Sequence, residues 1–394
     1  MDRIFTILMY VIMAVMVFAG TRLCRLREWN EDYCSLKQTK ILLGIQAFLI
    51  PFHHMAQKTC ASWQPPRFIV HGLDIFVPVG HLLVSVFFFC SGLGLYKSFR
   101  SKTDYLKTFI RRRILPVVIA FYLSEFIYLI VRVLVGEKMK LKDVIWYLSG
   151  LHMANMNCWY IVIIIFFYFF FWLAFRFCKK DGTAIFLIFI VTGLYTVLGA
   201  VLGHPQGWWM RGEWWYNSII LFPLGLLFAK YEDALTAFFK KAYPFMLPFS
   251  IAGFFVMLKI SQLATDVWWG YYGEYFHDPL MIPHRLLCCL TQWLQCIFYV
   301  LSCFLLLMKL RVGNPVLSFL GGITLELYLM HGMFVELFGY DFLNLAPSLY
   351  YIRNVPLYVL VVLACSFILT LIYRFIYKAV TKPLLSPADP REKK

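Results

Sequence analysis

Long apolar runs alternate along this chain with short polar clusters. Runs near the roughly 20 residues that a helix needs to cross a hydrocarbon layer fall at about 4–21, 39–57, 74–97, 114–135, 158–177, 183–203, 216–229, 243–260, 285–309, 316–338 and 355–377. The seventh is short, contains Pro223 and Gly225, and follows the aromatic cluster "WWMRGEWWY". The third carries a helix-breaking signal at Pro78 to Gly80. No soluble domain, low-complexity linker or internal repeat interrupts the series. The pattern predicts an all-α polytopic membrane protein.

The polar clusters orient it. One set is basic: Arg22, Arg25, Arg27, Lys37 and Lys40; the stretch from Lys97 to Arg113; Arg176, Lys179 and Lys180; Lys230, Lys240 and Lys241; Lys309 and Arg311; and the tail "TKPLLSPADPREKK". The alternate loops are poor in Lys and Arg and rich in Trp, Tyr and Pro, clearest in Gln262 to Pro283, which holds acids and no Lys or Arg. Only Lys138, Lys140 and Lys142 break the alternation, beside Glu137 and Asp143. The positive-inside rule then puts the N-terminus outside and the C-terminus in the cytoplasm of a multi-pass cell-membrane protein. On this reading the first run is a reverse anchor and not a cleaved signal peptide, because its basic flank follows it.

Composition changes what the charge means. Of 394 residues 61% are hydrophobic and only 15% charged, with a mean hydropathy of +0.71, so the solvent is a lipid bilayer. The net charge of +16 is then a topology signal, and no nucleic-acid partner is implied. The eleven cysteines include no CxxC pair and read as small hydrophobes. Cys60 and Cys158 flank outer loops, where a disulfide is a minor alternative. No metal site is expected.

Ionisable residues inside apolar runs are costly and usually line a cavity. "FLIPFHHM", Phe48 to Met55, places His53 and His54 in the second run. His54 is fourteen residues from Lys40, about 21 Å along a helix, in the outer half of the membrane. His331 lies sixteen residues from Pro315, about 24 Å along, and His81 about 10 Å inward from Asp74. Three runs thus bring imidazoles to one level. Neighbouring helical residues point about 100° apart, so His53 and His54 share a target only if Pro51 distorts the turn. Alone, His81 reads as an interhelical hydrogen-bonder. Glu125 and Glu326 fall near mid-bilayer, each as a protonated structural acid or as a histidine's partner.

The run "SFRSKTDYLKTFIRRRILP", Ser98 to Pro116, puts Arg111, Arg112 and Arg113 at a helix mouth. Its simplest reading is topology. Bidentate guanidinium contacts beside a helix N-terminus also suit a cytoplasmic ligand with several phosphates. No GxxxxGK[ST] or GxGxxG motif is present.

The blocks "GIQAFLIPFHH", "GHLLVSVFFFCSGLGLYKSFRSKTDYLKTFIRRRILP", "CWYIVIIIFFYFFF", "WWYNSIILFPLGLLFAKY" and "LGGITLELYLMHG" occur in that order. In this they resemble the membrane acyltransferase family 3, bacterial proteins that O-acylate cell-surface and secreted sugars. The resemblance covers about residues 38–377. It implies a bundle of about ten family transmembrane helices preceded by an additional N-terminal anchor helix and linker (1–37) and followed by a cytoplasmic tail (378–394). It implies transfer of an acyl group, an acetyl by expectation, from cytoplasmic acyl-CoA to a carbohydrate hydroxyl outside. Arg111 to Arg113 would hold the CoA phosphates, and His54 would be the general base, with His53, Glu125 and His331 as further catalytic candidates. The family's motif has a basic residue eleven positions before the histidine. Here that position is Leu43, and Lys40, one turn earlier, is the nearest substitute. Asn155, Asn157, Trp159, Tyr160, Trp214, Trp215, Tyr216 and Asn217 would line the acceptor mouth, with His81 at their level. Trp208 and Trp209 read instead as an interfacial belt.

Two other classes stay open. One is a glycan or lipid transporter with the histidines as proton relays. The other is a degenerate structural subunit of an envelope-glycan machine, a reading that Leu43 supports. The acceptor sugar, the acyl chain and the oligomeric state, including a homo-oligomer, are not fixed by the sequence.

Overall fold

The computed structural model describes residues 3–150, 152–202, 210, 212–269, 278–340 and 350–385. Within them the chain forms helices α1 (Arg3–Phe18), α2 (Leu36–Thr59), α3 (Gly80–Ser101), α4 (Leu115–Leu134), α5 (Leu141–Leu148), α6 (Trp159–Phe177), α7 (Asp181–Leu202), α8 (Leu221–Lys230), α9 (Glu232–Leu263), α10 (Ile282–Leu307), α11 (Pro315–Gly322), α12 (Thr324–Phe338) and α13 (Val355–Leu385). Two-residue strands β1 (Arg22–Leu23) and β2 (Leu310–Arg311) pair antiparallel. The all-α polytopic architecture expected from the apolar runs is what forms, and every run becomes a helix or a helix pair.

The helices that the eleven runs form differ in length and apolarity. Among the described residues seven helices are long and apolar enough to cross a membrane: α3, α4 with its preceding turn, α6, α7, α9, α10 and α13. The tenth run is α11 and α12, bent by 81° at Gly322–Ile323, and counts as an eighth span only if the pair is taken together. At 16 and 10 residues, α1 and α8 are short. Although α2 has 24 residues, it is diluted by Lys37, Gln38, Lys40, Gln46, His53, His54 and Lys58. Period counting cannot see a bend between two apolar helices, so the tenth run read as straight. The bend also corrects Glu326. It sits in the first turn of α12, 3.9 Å from the Arg374 guanidinium of α13, and Arg374 also donates to the carbonyl of Gly322 at the end of α11. Its partner is an arginine and not a histidine. One side chain thus serves both ends of the break, where helix-terminal groups lack intrahelical partners.

Three further expectations change. Residues 74–79 do not belong to α3, which begins at Gly80, so His81 occupies its first turn and not a deeper one. The last helix continues past residue 377 to Leu385. Cys60 and Cys158 are both unpaired and buried. Their thiols meet backbone carbonyls, of Ala56 at 3.3 Å and of Asn155 at 2.9 Å. The short helix α5 was not expected at all. Trp208 and Trp209, most of the tail and the centre of the Gln262–Pro283 loop lie outside the described residues.

The core is a tight aromatic and aliphatic cluster. Phe88, Phe167 and Phe222 of α3, α6 and α8 meet in it, with Phe167 stacked on Phe222 at 4.8 Å. The two helices α3 and α8 cross where Gly92 faces Phe222 and Gly225 faces Phe89. A β-carbon on either glycine would strike the opposing carbonyl oxygen, the small-residue device by which membrane helices approach closely. A second cluster joins Met9 and Met13 of α1 to Phe52 and Met55 of α2 and Tyr358, Val359 and Val362 of α13. The outward faces stay apolar: Ile4, Val11, Phe186, Leu194, Phe245, Phe255, Leu360 and Ile368 are all exposed, as lipid-facing helices require.

The basic segments gather at one end. There β1 pairs with β2, Lys97 binds Glu232 at 2.7 Å, Lys240 binds Glu31 at 2.7 Å, and Arg100 pairs with Asp181. Five loops read as sharing a side are therefore linked by direct contacts.

Candidate active site

The site lies toward the opposite end of α2. His54 is eighteen residues from Leu36, about 27 Å along the helix. Its ring stacks on that of His331 with centroids 5.2 Å apart and lies 4.8 Å from that of His53. The straight-span count for His331 was wrong, because α12 starts only at Thr324, yet the two imidazoles do meet.

Their environments differ. His53 is buried, and its Nδ1 bonds the carbonyl of Phe76 at 2.8 Å. Its Nε2 presses on Gly80, where any side chain would overlap the ring. His53 is not hydrogen-bonded to Glu125, whose carboxylate takes the backbone amides of Ala154 and Asn155. His331 is fully buried, and its Nδ1 lies 2.8 Å from the carbonyl of Tyr328 in its own helix and 3.2 Å from that of Leu327. A carbonyl only accepts, so Nδ1 carries the proton, and Nε2, which has no protein partner among the described residues, is an acceptor. His54 alone of the three keeps partial exposure. Its Nδ1 lies 3.0 Å from Gln57 Oε1. That bond puts the proton on Nδ1 and leaves the Nε2 lone pair free to accept. Gln57 went unremarked in the sequence, although i and i+3 on a helix are neighbours, so the spacing alone would have shown it.

His81 continues the polar line: its Nε2 is 3.2 Å from Gln295 Oε1 on α10. Glu125 is fully buried and takes bonds from the backbone amides of Ala154 at 2.6 Å and Asn155 at 3.0 Å. Its visible work is to hold the loop before α6. Asn155, fully buried, bonds Ser124 and the carbonyl of Leu329, tying that loop to α12. The Asn157 side chain packs on α12 at Gly332, next to His331.

The aromatic residues expected at a mouth are mostly packed inside. Trp215, Tyr216 and Asn217 are buried, as are Trp159 and Tyr160, with Trp159 and Trp215 rings 6.4 Å apart. Tyr160 lies 3.2 Å from Ser91 Oγ through its hydroxyl and 5.6 Å from the ring of Tyr328. Only Trp214 reaches the surface. Among the described residues no three His, Cys, Asp or Glu side chains form a metal-holding group.

At the basic end, Arg111, Arg112 and Arg113 occupy a π-helical turn, Ile110–Ile114, that runs into α4, whose first turn holds Pro116. The wider turn spaces successive side chains around the axis. Arg113 bonds Ser98 Oγ at 3.3 Å and lies over the Tyr105 ring, while Arg112 points out. Lys40 is exposed on the first turns of α2, at the end of the helix away from His54.

The family model described as an acyltransferase domain matches residues 41–374. No curated protein and no solved structure matches the chain. The matched span takes in the histidine-bearing parts of α2, α3 and α12 and the arginine turn together, well over half of the chain, and on that ground the protein belongs to the membrane acyltransferase family 3.

Proposed function

We propose that the protein transfers an acyl group from acyl-CoA, bound at the basic and cytoplasmic end, to a hydroxyl of an extracytoplasmic carbohydrate, with His54 as general base. The observation that carries this reading is the His54 ring: partly exposed, stacked on His331, and held by Gln57 in the tautomer that leaves Nε2 as acceptor. In the step, His54 Nε2 takes the proton of the acceptor hydroxyl as its oxygen attacks the thioester carbonyl. The carbon–sulfur bond breaks, and the CoA thiolate leaves with the proton that His54 returns. His331, stacked beside His54, keeps the ring from turning and supplies a second lone pair toward the same space. Arg111 to Arg113 would hold the phosphates, and the pantetheine arm would bridge the length of α2.

The test has two arms. Purified protein given acetyl-CoA and a glycan acceptor releases free CoA, and surface glycans from cells making the protein carry an acyl mass that cells lacking it do not. A transporter would release no CoA. Donor binding without turnover would favour the structural-subunit reading.

A further inference from the structure

The segment after α4 holds Lys138, Lys140 and Lys142, the group that breaks the charge alternation of the loops. Helix α4 has 20 residues, about 30 Å along its axis, which is the thickness of a hydrocarbon core. The arginine turn sits at its start, so its end reaches the opposite interface. Its outward side stays apolar to the last residue: Phe126, Ile130, Val133 and Leu134 are all exposed. Gly136, at a φ of +94°, then turns the chain, and α5 follows. Leu141, Ile145 and Leu148 stand at i, i+4 and i+7, on one side of that helix, and are 76%, 59% and 44% exposed. Trp146 is exposed beside them. The other side is held. Tyr147 is buried, with its ring under the Arg132 guanidinium and its hydroxyl taking a bond from Arg132 at 3.0 Å. Arg132 also binds Glu137 at 3.1 Å. Lys138, Lys140 and Lys142 are exposed.

We propose that α5 lies in the membrane interface with its Leu141, Ile145 and Leu148 side among acyl chains, and that Lys138, Lys140 and Lys142 bind the phosphates of anionic phospholipid headgroups there. Continuity identifies the occupant. The apolar side of α5 takes up where the lipid-facing side of α4 ends, only a short turn away, so both meet the same medium. Charge identifies the headgroup. Three exposed lysines within the five residues 138–142 attract an anionic surface. A short helix with one apolar side, flanking lysines and a tryptophan at its edge has the pattern of a helix that rests on a bilayer. The grip of Arg132 on Tyr147 fixes the orientation, since rolling the leucines inward would expose the tyrosine and strip the buried guanidinium of a partner. The lipid contact bears on the site by position. Helix α5 is the last helix before the loop whose amides Glu125 holds and whose Asn157 packs at Gly332, next to His331. The binding itself is independent of the chemistry at His54.

The test uses the full chain in lipid nanodiscs, with an environment-sensitive fluorophore on Ile145→Cys and the wild type labelled in parallel to subtract the native thiols. Lipids brominated near the headgroup end of the acyl chain quench the fluorophore, and aqueous iodide does not. In mixed discs brominated phosphatidylglycerol is preferred about five-fold over brominated phosphatidylcholine, roughly the Boltzmann factor for one lysine at an anionic surface. The preference falls at high salt, because exposed charges are screened, and is lost when Lys138, Lys140 and Lys142 are all replaced by glutamine, while bromine quenching in phosphatidylcholine discs persists. Quenching by iodide and not by lipid would place α5 in water or against another protein. Equal quenching by the two lipids, or a preference that survives the triple substitution, would remove the headgroup site. Any of these results overturns the proposal. Should Ile145→Cys not fold, Leu148→Cys on the same side of α5 reads the same quenching.

Discussion

At the scale of single residues, the three histidines divide by what holds each ring. His53 is pinned by the Phe76 carbonyl and by Gly80, His331 by its own helix, and His54 by a side chain that leaves Nε2 free. Positioned general-base catalysis is typically worth about 10²–10⁴ in rate. His54→Ala is expected to lower acyl transfer by that order while acyl-CoA binding persists, because the phosphates are proposed to bind at the basic end, away from the ring. His53→Ala is expected to cost less. Steady-state transfer and donor binding at matched expression check both, and near-normal transfer by His54→Ala would remove His54 as the base. The arginines give a second prediction. Arg112→Lys and Arg113→Lys keep the charge and lose the bidentate fork, so apparent acyl-CoA affinity weakens while membrane insertion stays normal. Unchanged affinity in both would reduce the run to a topology signal.

At the scale of elements, two devices set the site. The bend between α11 and α12 brings α12 in with His331 only two turns from its start, and Arg374 with Glu326 serves the broken ends. The crossing of α3 and α8 through Gly92 and Gly225 fixes α3, whose first turn carries His81 and backs His53. Gly225→Leu would drive a side chain into the carbonyl of Phe89. The expected cost is about 3 kcal/mol, the upper end of overpacking penalties. A thermal melt of the purified protein in lipid nanodiscs, with ligand-free wild type alongside, should show the drop. A melt unchanged from wild type would mean that the close crossing contributes little. Both devices escaped period counting, since two apolar helices that bend or touch look the same in sequence as one long run.

At the scale of the whole molecule, charge sorting was legible and is reflected in contacts. The loops read as sharing one side pair with one another through β1 and β2, Lys97 with Glu232, and Lys240 with Glu31. Which side of the membrane that end faces is tested by labelling. With Cys178, which is partly exposed, replaced by serine, Leu280→Cys should react with an impermeant thiol reagent added to intact cells, and Lys179→Cys should react only after permeabilisation. The reverse pattern would invert the donor and acceptor ends together.

By itself the sequence determined the helical class, the positions of the apolar runs, the sorting of the basic loops and the two runs, α2 and α12, whose imidazoles meet. Each of these depends on local composition or on residue count along one helix, which a chain carries in its order. Tertiary structure decided what depends on partners distant in sequence. It set which ring nitrogen of His54 and of His331 is left to accept, the arginine that answers Glu326, the burial of Trp159, Trp215 and Asn217 where a mouth was expected, and the pairing of Lys58 with Glu336. Gln57 was visible in principle at one helical turn from His54. Glu336 was not, because a carboxylate 278 positions from its lysine, counted from Lys58 to Glu336, becomes its neighbour only when α2 and α12 have packed.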